Sequence, residues 1–124
     1  MSIIKEDNGL ISGGGSLETK IIDFNDNVNA RVFNNLTVGK KYRIVAETPW
    51  AVGTVTFALS SAVGCTPTVV TAFTRLKNTA YSAWLGYAEY EIEPTSTSIT
   101  LTFDRGDTQH FIFMGENASQ ITSA

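Results

Sequence analysis

The sequence predicts an all-β protein, an antiparallel β-sandwich of the jelly-roll type with a short N-terminal arm. Val, Ile, Thr, Phe and Tyr are concentrated in short runs that Gly, Asn, Asp and Pro separate. Several runs alternate apolar and polar residues, as strands with one buried face do. No amphipathic segment is longer than about two helical turns, and turn signals recur about every 8–12 residues, which is typical of sandwiches.

The runs predict seven or eight strands, at residues 17–24, 28–33, 41–48, 53–60, 67–74, 86–93, 98–103 and 109–114. Residues 28–33 are expected to form a short edge strand. Residues 74–85 are ambiguous, since they fit either a short helix or a long loop. The 124 residues suit one domain.

The most regular alternation predicts a hairpin near the C-terminus. Residues 86–93 place Ala88, Tyr90 and Ile92 inward, and residues 98–103 place Ile99, Leu101 and Phe103 inward. A turn at 94–97 is expected to join these two strands as neighbours, and a second turn at 104–107 leads into the last strand.

The two ends of the chain differ in composition. We expect residues 17–124 to form the sandwich domain and residues 1–16 to form an arm whose segment 12–16, Ser-Gly-Gly-Gly-Ser, is typical of a flexible hinge. The candidate interface residues of the arm are Ile3, Ile4, Leu10 and Ile11. They suit docking onto a neighbouring subunit, or an edge strand that pairs within its own domain.

Charge and cysteine content restrict the partners. Nine Lys and Arg against 12 Asp and Glu give a net charge of −3 without a basic cluster, so we expect no nucleic-acid partner. No run approaches 18 consecutive apolar residues and the N-terminus lacks a secretory pattern, so we expect no membrane partner and no signal peptide. The single Cys65 cannot form an intrachain disulfide, which favours synthesis in a cytoplasm.

The residues that usually carry catalysis are few. His110 is the single histidine and stands in an apolar run, where a packed strand residue is the simpler interpretation. Cys65 is interpreted as a small apolar residue rather than a nucleophile. Glu89, Glu91 and Glu93 lie on one outward face, and pairing with Lys41 and Arg43 explains them more simply than glycoside hydrolysis. We therefore expect the protein not to be an enzyme.

Cofactor and metal motifs are also incomplete. Residues 23–27 cluster oxygen ligands, but Val28 and Asn34 occupy the places where a calcium loop needs Gly and Glu. Turn formation explains this segment, and a structural calcium stays an alternative. No cofactor is expected.

Aromatic residues offer one possible binding site. Trp50, Trp84 and Tyr87 are candidates for stacking on sugar rings, which would make a glycan the partner. Core or subunit-interface positions are the competing interpretation.

The segment Asn35-Leu36-Thr37-Val38-Gly39-Lys40-Lys41-Tyr42-Arg43-Ile44 resembles the loop and strand that enter the core of many β-sandwich modules. These modules include fibronectin-like and jelly-roll domains, carbohydrate-binding modules and small sandwich proteins of bacteriophage particles. The whole chain is most similar in style to the phage group, being short, rich in Thr, Ser and Gly, poor in cysteine, and equipped with an apolar arm. The resemblance implies the fold and a structural role, and it transfers no site residue.

These observations predict a structural virion component, such as a capsid-decorating or tail-associated protein, that acts through protein–protein contacts. It is expected to be made in the host cytoplasm, to self-associate as a homo-oligomer, for instance a trimer, and to contact other virion proteins. The alternative function is a carbohydrate-binding module.

Overall fold

The computed structural model describes residues 17–49, 57–78, 83–106 and 108–124. Strands and a short 3₁₀ helix, Ala118–Gln120, make up its regular structure. The strands are β1 Leu17–Phe24, β2 Ala30–Asn34, β3 Tyr42–Thr48, β4 Leu59–Val63, β5 Cys65–Asn78, β6 Ala83–Pro94, β7 Ile99–Phe103, β8 Gln109–Glu116 and β9 Thr122–Ser123.

The strands form two antiparallel sheets packed face to face, which confirms the predicted β-sandwich. The five-stranded sheet has the order β1-β8-β3-β6-β5, and the four-stranded sheet has the order β4-β7-β2-β9. Strand β1 pairs with β8, β2 with β7 and β3 with β6. This nested pairing of early strands with late strands is the pattern of a jelly roll. One strand departs from that pattern, since β5 pairs with β6 instead of with β4.

The predicted hairpin of residues 86–93 and 98–103 is wrong. Strand β6 lies in the five-stranded sheet between β3 and β5, whereas β7 lies in the other sheet between β4 and β2. The turn after Pro94 therefore crosses from one sheet to the other. Alternation shows which face of a strand is buried, and both strands do face the core, but it does not show which strands are neighbours.

The strand expected at a sheet edge, residues 28–33, is β2, and it lies between β7 and β9. Two strand boundaries also differ from the sequence prediction. The strand expected at 53–60 begins at Leu59, since Phe57 and Ala58 lie outside any strand and residues 53–56 lie outside the described part of the chain. The ambiguous stretch 74–85 is largely strand, because β5 continues to Asn78 and β6 begins at Ala83. The ladder between β5 and β6 supports this extension, with Leu76 opposite Leu85.

The core lies between the two sheets. Its largest fully buried apolar side chains are Phe33, Tyr42, Ile44, Phe57, Ile92, Ile99, Leu101, Phe103, Phe111, Phe113 and Ile121. Phe33 of the four-stranded sheet packs edge-on against Phe111 and Phe113 of the other sheet, with ring centroids 5.3 and 4.8 Å away. Edge-to-face packing is the favourable geometry for such rings, so these contacts help fix the two sheets together.

The loop that enters β3 shows why the Leu-Thr-x-Gly-Lys-x-Tyr pattern suits a sandwich. Leu36 is buried, and the Tyr42 hydroxyl accepts a hydrogen bond from the Thr37 backbone N–H at 2.8 Å. Gly39 has φ of +81° and donates its N–H to the Pro94 carbonyl at 2.9 Å. A side chain is unfavourable at that φ, so glycine allows the loop to close onto the end of β6.

Candidate interaction surface

The outward face of the five-stranded sheet carries an unexpected group of apolar side chains. We call the set Leu17, Ile21, Val45, Ile112 and Met114 the apolar face. Ile21 of β1 is opposite Ile112 of β8, which in turn is opposite Val45 of β3, so the three form one row across three strands. Met114 lies opposite Thr19 on the same face.

The apolar face is accessible. Leu17 is 49% exposed and Ile21 is 61% exposed, while Val45, Ile112 and Met114 are partly exposed. Outward positions of antiparallel sheets are usually polar, because they face water. Within the described part of the chain, β1 is also the edge strand of this sheet, so its outer backbone groups can pair with another strand.

The neighbouring part of the same face is charged. Arg43 of β3 contacts Glu89 of β6 at 2.8 Å and Glu91 at 3.7 Å, and Lys41 lies 3.9 Å from Glu91. This is the cross-strand pairing expected from the sequence. Both carboxylates are held by cations, which explains their position on one face without any acid–base chemistry.

A shallow open groove of about 230 Å³ adjoins these charges. Its lining residues are Lys41, Thr66, Thr68, Glu91, Ile92 and Glu93. Hydroxyl and carboxylate groups of β5 and β6 thus meet the ammonium group of Lys41, which directly precedes β3, and such groups can hydrogen-bond a polyhydroxylated ligand.

The aromatic candidates are only partly located. Tyr87 is half-buried on the outward face of β6, opposite Glu47 of β3 and Thr74 of β5. Trp84 belongs to β6, but its side chain lies outside the described residues, as does Trp50 entirely. The structure therefore places Tyr87 on the same face as the groove and does not test whether the tryptophans join it.

The candidate interface residues of the arm lie outside the described residues. Ile3, Ile4, Leu10 and Ile11 all precede Leu17, where β1 begins. Leu17 is itself a member of the apolar face. The arm is thus connected directly to the strand that carries the most exposed part of that face.

Cys65 and His110, the two residues considered as nucleophile and base, lie on β5 and β8. His110 is 42% exposed on the outward face, and its Nδ1 atom is 3.5 Å from Asp23 Oδ1. Its packing among apolar residues, expected from the sequence, is therefore only partial. Cys65 is half-buried at the start of β5, and burial raises the pKa of its thiol. A raised pKa lowers the thiolate fraction, which is the reactive form.

The oxygen-rich segment 23–27 makes protein contacts. Asp26 forms an ion pair with Arg31 at 2.7 Å, and Asn25 accepts a hydrogen bond from Thr108 at 3.2 Å. Among the described residues, no group of three or more His, Cys, Asp or Glu side chains could hold a metal ion. These contacts agree with the turn-forming interpretation of the segment.

Sequence reasoning missed the apolar face, although a signal was present. In β1, Ile21 and Ile22 are adjacent, and in β8 the run Phe111-Ile112-Phe113-Met114 is apolar at every position. Strands that are apolar on both faces are typical of sheets covered on both sides. A search for one buried face in each strand does not distinguish such a strand from an ordinary core strand.

Comparison of the chain with protein-family models, curated proteins and solved structures finds no match. No helix in the described residues is long and apolar enough to cross a membrane.

Proposed function

We propose that this protein is a structural component of a bacteriophage particle, a capsid-decorating or tail-associated protein that acts through protein–protein contacts. The observation that carries the proposal is the exposed apolar face on the edge of the five-stranded sheet, directly after the arm. Exposed apolar patches on soluble proteins mark interaction sites. That the partner is a phage particle is inferred from the resemblance of the chain to small phage sandwich proteins.

The proposed mechanism is mechanical. The arm of one copy contacts a neighbouring copy, and sheet edges make further contacts with other virion proteins. Each contact is shallow, but many copies on one particle bind together, so that weak contacts add up through multivalency. The proposal makes the protein a homo-oligomer, made in the host cytoplasm, with no catalytic step.

Deletion of residues 1–11 tests the proposal. We expect the truncated chain to lose self-association, because it lacks the four apolar residues of the arm, while its thermal unfolding stays cooperative. The mass of both chains is measured by light scattering after size-exclusion chromatography, and unfolding is followed by circular dichroism. If the truncated chain forms the same oligomer as the full chain, the arm does not mediate assembly.

The groove and Tyr87 favour a second candidate function, the binding of glycans. The groove and Tyr87 lie on one sheet face, with Tyr87 four residues, or about 13 Å, along β6 from Glu91. An aromatic ring can stack on the apolar face of a pyranose, and the polar groups of a groove can hydrogen-bond its hydroxyl groups. Trp50 and Trp84, the other two aromatic candidates from the sequence, are tested together with Tyr87.

A glycan array tests the second function. We expect Tyr87→Ala, Trp84→Ala or Trp50→Ala to reduce the signal at least tenfold for a stacking contact of this type, since about 1.4 kcal/mol corresponds to a factor of ten. Tyr87→Phe is the matched control, because it keeps the ring and should retain most of the signal. A wild-type chain that gives no signal on the array contradicts glycan binding.

A further inference from the structure

We propose that the apolar face of one copy is the docking surface for the N-terminal arm, residues 1–11, of a second copy of this chain. The inference rests on the proposed function, because it names the two sides of the contact through which the copies associate. The starting observation is the exposed apolar face, a kind of surface that a soluble protein normally covers.

The shape of the apolar face fits an extended segment. The row Ile21, Ile112 and Val45 spans three strands, which is about 10 Å across. Arg43 and its two glutamates border the row on one side, and Asp23, His110 and Glu47 form the next row toward the other end of the strands. An apolar strip with a polar border is the usual anatomy of a protein–protein contact.

The arm has the composition and the length to cover this strip. Its apolar residues occur as two adjacent pairs, Ile3-Ile4 and Leu10-Ile11. Eleven extended residues reach about 36 Å, whereas the eight residues of β1 span about 27 Å. One arm can therefore cross the whole face. Its two apolar pairs are seven residues, or about 23 Å, apart when extended, so one pair can lie over the exposed Leu17 or Ile21 while the other reaches further along the sheet.

The hinge favours a second copy over the same copy. To cover its own face, the arm must reverse direction within residues 12–16, immediately before Leu17. Three successive glycines lose more conformational entropy than any other residues when they are ordered into a closed turn. An arm that docks on a neighbour needs no such turn, and exchange of an identical segment between copies is a common route to oligomers.

Substitution of Ile21 tests the docking surface. We expect Ile21→Lys to raise the dissociation constant of the oligomer about tenfold or more, because it places a charge in an apolar contact. Ile21 is 61% exposed, so the fold should tolerate the change. Val63→Lys is the matched control, since Val63 is 65% exposed on β4 of the other sheet and should leave assembly unchanged.

The combination of Ile21→Lys with deletion of residues 1–11 separates this inference from the proposed function. If the arm and the apolar face form one contact, either change alone disrupts it. The combined variant should then have a dissociation constant no higher than that of the more affected single variant. If Ile21→Lys leaves the dissociation constant unchanged while the deletion raises it, the docking surface is wrong and arm-mediated association stands. If the wild-type chain is monomeric at every concentration, both are wrong.

Cross-linking identifies which copy supplies the arm. In a Cys65→Ser background, an affinity-tagged chain with Ile4→Cys is mixed with an untagged chain carrying Ile21→Cys and then oxidised. We expect a disulfide between the tagged and untagged chains. The control is a single chain that carries both Ile4→Cys and Ile21→Cys. If oxidation forms a disulfide only within that chain, and none between the mixed chains, the arm covers its own face and the proposal is wrong.

Discussion

At the residue scale, Arg31 is the most constrained side chain of the described structure. It is 3% exposed, and its Nε–H donates to Gln109 Oε1. One terminal nitrogen donates to the Gly106 carbonyl at 3.1 Å, the other meets Asp26 at 2.7 Å, and the guanidinium lies 3.9 Å above the ring of Phe24. Arg31 of β2 thus links the two sheets and the loops at one end of the sandwich.

Replacement of Arg31 by Met should lower the free energy of unfolding by about 2–4 kcal/mol. The loss leaves the buried amide oxygen of Gln109 without a donor, whereas the Gly106 carbonyl keeps the hydrogen bond from the Val28 N–H at 3.2 Å, and an unsatisfied buried group is costly. Urea denaturation measures the change. Arg75→Met is the control, because Arg75 is exposed on β5 and the contacts of an exposed arginine contribute at most about 1 kcal/mol.

The double variant Arg31→Met with Gln109→Leu sharpens this prediction. Replacing both partners removes the unsatisfied amide oxygen but also the hydrogen bond from Gln109 to the Arg105 carbonyl, so the double variant should lose less stability than the sum of the two single losses. A double variant whose losses simply add would show that the Arg31–Gln109 contact does not account for the cost.

At the scale of elements, Gly64 determines where the chain leaves one sheet and enters the other. It lies between β4 and β5 with φ of +82°, and a Cβ atom there would be 2.6 Å from the Ser98 carbonyl. Its own carbonyl accepts hydrogen bonds from Thr95 and Ser96, which anchor the crossing between β6 and β7. Two sheet crossings therefore meet at this residue.

A comparison of Gly64→Ala with Gly39→Ala separates backbone strain from collision. Both glycines have φ near +80°, but a Cβ at Gly39 meets no atom within 4 Å. Gly39→Ala should cost about 1–2 kcal/mol, and Gly64→Ala should cost about 1–3 kcal/mol more, because the Ser98 carbonyl must shift. Equal unfolding free energies for the two variants would contradict the packing at Gly64.

The strands could be predicted from the sequence much better than their partners. The alternation of apolar and polar residues located β3, β6, β7 and β8 to within a few residues. In β3 and β6, for example, Tyr42, Ile44 and Ile92 mark the buried face. The same alternation cannot distinguish two adjacent strands in one sheet from two strands on opposite sheets. The hairpin prediction for β6 and β7 failed for that reason, and contacts at Gly64 decide the crossing instead.

At the scale of the whole molecule, the sandwich covers one side of each sheet and leaves the apolar face on the outside. The arm is a proposal from composition alone, whereas the apolar face could not be predicted at all, because Ile21, Ile112 and Val45 are distant in sequence and become neighbours only through strand pairing. Polar neighbours such as Arg43 and Glu89 could be predicted as a pair, since opposite charges on facing strands attract.

Self-association is the central claim, and the mass of the full chain in solution tests it most directly. Size-exclusion chromatography with light scattering over a concentration series should give a discrete oligomer, and a trimer of the 13.4 kDa chain would have three times that mass, about 40 kDa. A mass of one chain at every concentration would contradict self-association through the arm and the apolar face.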